Sequence, residues 1–175
     1  MLTPLTTADI PWITAHMHEH YPPAYTYLWT DHGAWYVANM YNETKLREEF
    51  SDQNARFYRV EDPHGVYGYC KVIHGKSPAR KGKYTNYFYL QRLYLATQAQ
   101  GKGIGRRVVE ILLEQARTTG HDAVWLETME VGRSKVFYQR FGFEKIDVVR
   151  LPFPGMHDHL RDLAVMERPL NHIFN

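Results

Sequence analysis

Apolar positions follow a helical period of about 3.6 along the first third of the chain and alternate with period 2 from Ala55 onwards. Thr7, Ala8 and Asp9 precede Ile10, Pro11, Trp12 and Ile13, a polar cap with an early proline that predicts a helix running towards His20 and ended by Tyr21 to Pro23. Trp35 to Met40 and Thr44 to Phe50 predict two more helical pieces, the second with Leu46 and Phe50 four apart on one face. Ser51 to Asn54 is a turn. Phe57 to Val60 and Val66 to Ile73, on either side of Asp62-Pro63-His64-Gly65, predict a β-hairpin. Gly75 to Lys83, with its glycines, Pro78 and basic residues, reads as a loop, and Asn86 to Leu95 as a long aromatic strand.

Lys102 to Thr119 predicts a strong helix with apolar residues at Ile104, Val108, Ile111, Leu112 and Ala116, closed by Gly120. Ala123 to Leu126 reads as a short buried strand, Ser134 to Phe141 as a short helix stopped by Gly142, and Phe143 to Val149 and Arg161 to Arg168 as the last two strands. Pro152 to His159 is an irregular excursion of the kind that covers a site. Interleaved strands and helices without an internal repeat or linker predict an α/β or α+β fold, a mixed sheet flanked by helices, in one domain spanning residues 1–175.

Composition narrows the classes of function. A hydrophobic fraction of 44% and an aromatic fraction of 14% belong to a packed chain that buries enough apolar surface to offset ordering entropy. The net charge of +2 is small, and the cations are dispersed except around Arg80, Lys81 and Lys83, which argues against nucleic acid as a partner. The single Cys70 lies in an apolar stretch and reads as a small buried hydrophobe of a reducing compartment. Met1 to Ile10 lacks the features of a signal peptide, and no stretch approaches the ~20 apolar residues of a membrane helix, so the cytoplasm is the expected location, with no membrane partner. The histidines take no metal-ligand spacing, and His16, His18 and His20 are expected at a solvated helix end, with no metal site.

The densest chemistry lies in Gln100-Gly101-Lys102-Gly103-Ile104-Gly105-Arg106, between a strong strand and a strong helix. Glycines admit a ligand close to the backbone, and the first amides of a helix are free to donate to an anion with the dipole behind them. The plain alternative is a tight turn that needs glycine for a positive φ. A dinucleotide fold expects its glycines after the first strand with an acid about 20 residues on, where this chain has Gly120 and His121. A phosphate loop of nucleoside triphosphatases needs Ser or Thr after its Gly-Lys, where Gly103 stands.

Gln100-x-x-Gly103-x-Gly105 resembles the Gln/Arg-x-x-Gly-x-Gly/Ala signature of the GNAT acetyltransferases, and Phe137-Tyr138-Gln139-Arg140-Phe141-Gly142-Phe143 is similar to that family's Phe-Tyr-x-x-x-Gly-Phe segment. The resemblance runs from Thr7 to Met166 and implies a mostly antiparallel sheet and transfer of an acetyl group from acetyl-CoA to a primary amine. Tyr89 to Leu95 and Tyr25-Thr26-Tyr27 look most like the bacterial spermidine and polyamine branch. Many members of the family combine catalysis with dimer formation, which makes a homodimer one expectation.

The resemblance assigns the backbone of Leu93, Tyr94 and Leu95 to the pantetheine arm and thioester carbonyl, and Gln100, Gly101, Lys102, Gly103, Ile104, Gly105 and Arg106 to the CoA pyrophosphate. For Lys102 and Arg106 a solvated surface role competes with charge pairing. Tyr138 resembles the tyrosine that protonates the leaving thiolate, against the alternative of a core aromatic. Some relatives place a glutamate base where this chain has Gln91, which cannot take a proton but can hold a water; Glu127 is the alternative base or cation-binding group, or a surface carboxylate. The asparagine that often precedes the short helix is missing from Val131-Gly132-Arg133-Ser134, which leaves Arg133 and Lys135 either as CoA phosphate contacts or as a solvated helix start. Asp31, Glu43, Glu127 and Glu130 either attract a polyamine or are ordinary solvated carboxylates, and Tyr25, Tyr27, Trp29 and Trp35 either line an acceptor cleft or pack the core. A CoA-binding sensor or docking module without turnover is the alternative to an enzyme.

Overall fold

In the computed structural model, which describes residues 1–79 and 83–170, seven strands form one sheet in the order β1-β2-β3-β4-β5-β7-β6. The strands are β1 (Leu2–Pro4), β2 (Ala55–Asp62), β3 (Gly65–His74), β4 (Tyr87–Leu95), β5 (Ala123–Met129), β6 (Glu144–Arg150) and β7 (Asp162–Pro169). Every neighbouring pair is antiparallel except β4 and β5. The helices are α1 (Ile10–Tyr25), α2 (Ala34–Met40), α3 (Glu43–Phe50), α4 (Ile104–Thr118) and α5 (Arg133–Gln139). The expected mixed sheet with flanking helices is therefore present. Arg80 and Lys81 of the basic cluster fall outside the described residues.

The two sheet faces carry separate cores. On the first, α1, α2 and α3 bury Ile13, Met17, Tyr41 and Leu46 against Phe57, Tyr69, Tyr87, Tyr89 and Trp125. On the second, α4 packs Ile104, Val108, Val109, Leu112, Leu113 and Ala116 onto Phe88, Leu90, Val124, Leu126 and Met166. Each aliphatic side chain so buried contributes about 1.5–3 kcal/mol of transfer free energy. The expected apolar face of α4 needs one correction: Ile111 is 39% exposed, because a stripe through residues 104, 108 and 112 brings 109, 113 and 116 inwards instead.

Three other expectations change. The first helix does not stop at Tyr21 to Pro23 but runs to Tyr25 through Pro22 and Pro23. Tyr21 and Tyr25, one turn apart, stack with centroids 4.7 Å apart and enter the aromatic core, and this packing outweighs the amides the prolines remove. His16 is buried rather than solvated, stacked on Trp12 at 5.0 Å. The sequence pattern also misses β1, a three-residue strand whose Leu2 lies opposite Val60. Among the described residues no helix is long and apolar enough to cross a membrane.

Candidate active site

The parallel ladder between β4 and β5 is short: Tyr87 to Leu90 pair with Ala123 to Leu126, and there it ends. Beyond it β4 continues to Leu95 on β3, and β5 continues through Glu127, Thr128 and Met129 on β7. The strands part because β4 bulges. Val72 pairs with Leu90 and Lys71 with Arg92, so Gln91 is the extra residue. Its side-chain Oε1 is buried without a hydrogen-bond partner among the described residues. Gln91 thus stands at the apex of an opening whose edges are Gln91 to Leu95 and Glu127 to Met129. The short strand expected to end at Leu126 is longer for the same reason: its last three residues face the opening and pair on one side only.

On the second face, the glycine turn lies beside this opening. Gly101 and Gly103 have φ of 72° and 71°, values that favour glycine, and a Cβ on either would meet nothing within 4 Å. Gly103 caps α4, which starts at Ile104 rather than at Lys102. The amides of Gly101, Gly103, Ile104, Gly105 and Arg106 have no acceptor among the described residues, and they collect at the positive end of α4. That donor set suits a pyrophosphate. Gly105 brings the turn to the strand and to α5: its missing Cβ would lie 3.4 Å from Leu95 Cδ1 and 3.5 Å from Phe137 Cζ.

The cations named from sequence have separate surroundings. Lys102 Nζ lies 5.8 Å from the Tyr67 ring centroid, Arg106 pairs along the helix with Glu110 at 2.8 Å, and Lys135 is bound to Glu130 at 2.8 Å. Arg133, at the start of α5, is exposed. Tyr138 is half-buried between Phe137 and Phe143, with ring centroids at 5.1 and 5.8 Å. Burial pushes its hydroxyl well above the usual phenol value, and the nearby Tyr25 phenol and Cys70 thiol add to the rise. The group stays protonated across the neutral range and is able to give a proton rather than take one.

On the first face, Tyr94 meets Tyr25 edge-on at 5.7 Å and shares a 3.0 Å hydroxyl contact with Tyr36. Glu127 accepts a 2.9 Å hydrogen bond from Tyr89, whose ring lies flat on Trp125 with centroids 3.8 Å apart. Glu127 and Trp125 line a cavity of about 390 Å³ with Pro78, Asp147, Arg150 and Val165. Of the four acids named as attractors of a cation, Glu43 pairs with Arg47, Glu130 with Lys135 and Lys145, and Asp31 receives the Gly33 and Trp35 amides. Glu127 alone among the four faces the cavity. Trp29 is core, donating from Nε1 to Tyr21, whereas Tyr27 is exposed.

Sequence reasoning missed Tyr89 as the partner of Glu127, Asp147 and Arg150 as cavity residues, and Gly68. A Cβ on Gly68 would fall 2.0 Å from the Tyr94 carbonyl oxygen, so only glycine lets β3 approach the free end of β4 this closely. A lone glycine inside the apolar run Val66 to Ile73 was the available signal.

The parted β4 and β5 thus have free helix amides on one face and an acid-lined cavity on the other, and the Acetyltransferase (GNAT) family model matches residues 14–143; the chain belongs to that family. Among particular relatives, it is 34% identical over 59 residues to YjgM, an uncharacterised N-acetyltransferase of Escherichia coli K12; the match spans 33% of this chain and about a third (35%) of that relative. Its fold is similar to that of the PaiA N-acetyltransferase of Thermoplasma acidophilum in complex with coenzyme A (TM-score 0.71, 16% identity, covering 97% of this chain and 98% of that one). It is likewise similar to the spermidine N-acetyltransferase of Vibrio cholerae in complex with CoA and spermine (TM-score 0.67, 18% identity, 97% and 94% covered).

Proposed function

We propose that the protein is an acetyl-CoA-dependent N-acetyltransferase that acetylates a primary amine of a small molecule. The observation that carries this reading is the end of the β4–β5 ladder at Leu90 and Leu126, which leaves a gap between the glycine turn on one face and the Glu127 cavity on the other. CoA enters from the second face, its pyrophosphate on the amides of Gly101 and Gly103 to Arg106 and its arm along the free backbone of Leu93 to Leu95. The acceptor enters from the first face. Its nitrogen attacks the thioester carbonyl, a main-chain amide of β4 steadies the oxyanion, and Tyr138 protonates the departing thiolate.

The proton lost by the amine goes to Glu127 directly or to a water held by the buried Oε1 of Gln91. A polyamine such as spermidine is the acceptor class we favour, because Glu127 and Asp147 both line the cavity and offer carboxylates to more than one cationic group.

Thiol release from acetyl-CoA, measured with spermidine, spermine, amino acids and a lysine peptide, tests the reading against Tyr138→Phe. Turnover on one amine that falls at least about tenfold in the variant, with KM for acetyl-CoA held, is the expected result. Tight acetyl-CoA binding without turnover on any of them would identify a CoA-binding module instead.

A further inference from the structure

The proposed chemistry leaves one cluster of buried charges without a use. Arg92 on β4 grips Glu49 of α3 with two bonds, Nη1 to Oε2 at 2.6 Å and Nη2 to Oε1 at 2.8 Å, and Lys71 on β3 donates to the same Oε2 at 2.8 Å. The three side chains are only 7%, 10% and 4% exposed, in that order. Two cations share one carboxylate, so the group holds one positive charge in excess. Holding each of these charges away from water costs desolvation free energy.

The surroundings do not cancel the excess. Arg92 is faced by the phenols of Tyr36 and Tyr41 from α2 and its end, of Tyr69 from β3, and of Tyr89 and Tyr94 from β4 itself, and burial raises those of Tyr41, Tyr69, Tyr89 and Tyr94 above the ordinary phenol value, which keeps them uncharged. Asp52 acts on Lys71 from the exposed turn after α3, where water screens it, and Glu127 is held on β5 by Tyr89. Burial pulls the Lys71 ammonium below its ordinary range, and Glu49 only partly offsets that pull. The excess also has a location: Arg92 is two residues past Leu90, where β4 leaves β5. Its guanidinium lies 5.1 Å from the Tyr41 ring centroid, and Tyr41 in turn meets Tyr94 edge-on at 6.3 Å.

We infer that Lys71 and Arg92, locked on Glu49, supply a fixed positive field beneath the free end of β4 that stabilises the oxyanion of acetyl transfer. The inference rests on the proposed function. The amine lone pair forms the new C–N bond as the carbonyl π pair moves onto oxygen; collapse of that oxyanion breaks the C–S bond. The thiolate takes a proton from Tyr138, and the amine gives one up to its base or water. A charge already in place when the oxyanion forms needs no reorganisation at that moment. Neither cation touches substrate; both are positioning residues that act through the field.

Lys71→Met separates this from a structural role, since it removes the excess charge and leaves the neutral Glu49–Arg92 pair in place, while Lys71→Arg keeps the charge. We would measure kcat, KM for acetyl-CoA, and the isotope-edited infrared stretch of the bound acetyl-CoA carbonyl, which reads polarisation without turnover. Lys71→Met should lower kcat about tenfold, the order expected when one buried unit charge is removed from a low-dielectric interior. KM for acetyl-CoA should hold, the carbonyl stretch should move towards that of free acetyl-CoA, and Lys71→Arg should restore both. Wild-type kcat should also fall at alkaline pH below the ordinary lysine range, a limb absent from Lys71→Met. Wild-type kcat and an unshifted carbonyl in Lys71→Met, whatever its melting temperature, would overturn the inference alone. If acetyl-CoA binds but no amine turns over, the infrared arm decides; if the wild type does not bind acetyl-CoA, the proposed function and this inference fall together.

Discussion

The Tyr89 hydroxyl donates a 2.9 Å hydrogen bond to Glu127 across the last rungs of the β4–β5 ladder, tying the carboxylate to a ring that is itself clamped on Trp125. The carboxylate at the opening is therefore aimed by its neighbour rather than free to swing. Glu127→Gln should raise KM for the amine at least about tenfold, since a charge-assisted contact is lost, with acetyl-CoA affinity unchanged. Tyr89→Phe keeps the charge and loses the aim, so a smaller rise in amine KM is expected. Steady-state kinetics on both variants check the order.

Gly68 sets the distance between β3 and the free end of β4. With Tyr94 oxygen 2.0 Å from where a Cβ would sit, and backbone unable to step aside cheaply, Gly68→Ala should destabilise the fold by several kcal/mol. Urea unfolding would show it as a lower midpoint at unchanged slope.

Gly103 tests the cradle itself. Its φ of 71° carries a penalty of about 1–2 kcal/mol for a residue with a Cβ, although the space around it is open. Gly103→Ala should lower stability by about that amount and raise the dissociation constant of acetyl-CoA, measured by calorimetry, because the amides lose their common direction.

Glu49 holds two buried cations. Glu49→Ala leaves both unpaired, and a loss of about 3–5 kcal/mol is expected, read as a fall in Tm.

His16 makes stability depend on pH. Burial, followed by the charges of His20 and Arg59, pulls its pKa from 6.5 to about 4. The unfolded chain binds the proton first as pH falls, so stability present above about pH 6.5 is lost towards pH 4 and should amount to no more than about 3 kcal/mol. His74 and His121, lowered first by burial, act in the same direction. Denaturant unfolding at pH 7 and pH 4.5 should show a smaller difference for His16→Gln than for the wild type.

How much of this was legible beforehand follows the reach of each interaction. α4, its glycine turn and the Phe137 to Phe143 segment are local patterns, and apart from the outward-facing Ile111 and the later start of α4 at Ile104 they stand where the periodicity and punctuation put them. The run of α1 through two prolines was not legible, because what sustains it is Tyr21 and Tyr25 entering an aromatic core assembled from distant elements. His16 reads as polar in sequence and becomes buried once Trp12 and Arg59 close over it; the Arg59 guanidinium carbon lies 4.3 Å from the Trp12 ring centroid. The opening of the sheet depends on one bulged residue, Gln91, which alternation alone does not reveal. The Glu49–Lys71–Arg92 group was invisible for the same reason: three elements bring it together, and no spacing along the chain announces it.

The excursion after β6 does not hang free. Gly155 oxygen accepts from the Thr30 amide at 2.7 Å and from the Thr30 hydroxyl at 3.0 Å, the His157 amide donates to Leu28 oxygen at 2.9 Å, and Phe153 lies 5.9 Å from Trp35 between ring centroids. Two stretches 125 residues apart are thus seamed together. A substitution that displaces either stretch alone breaks this seam, so the two are expected to vary in step among relatives of this chain.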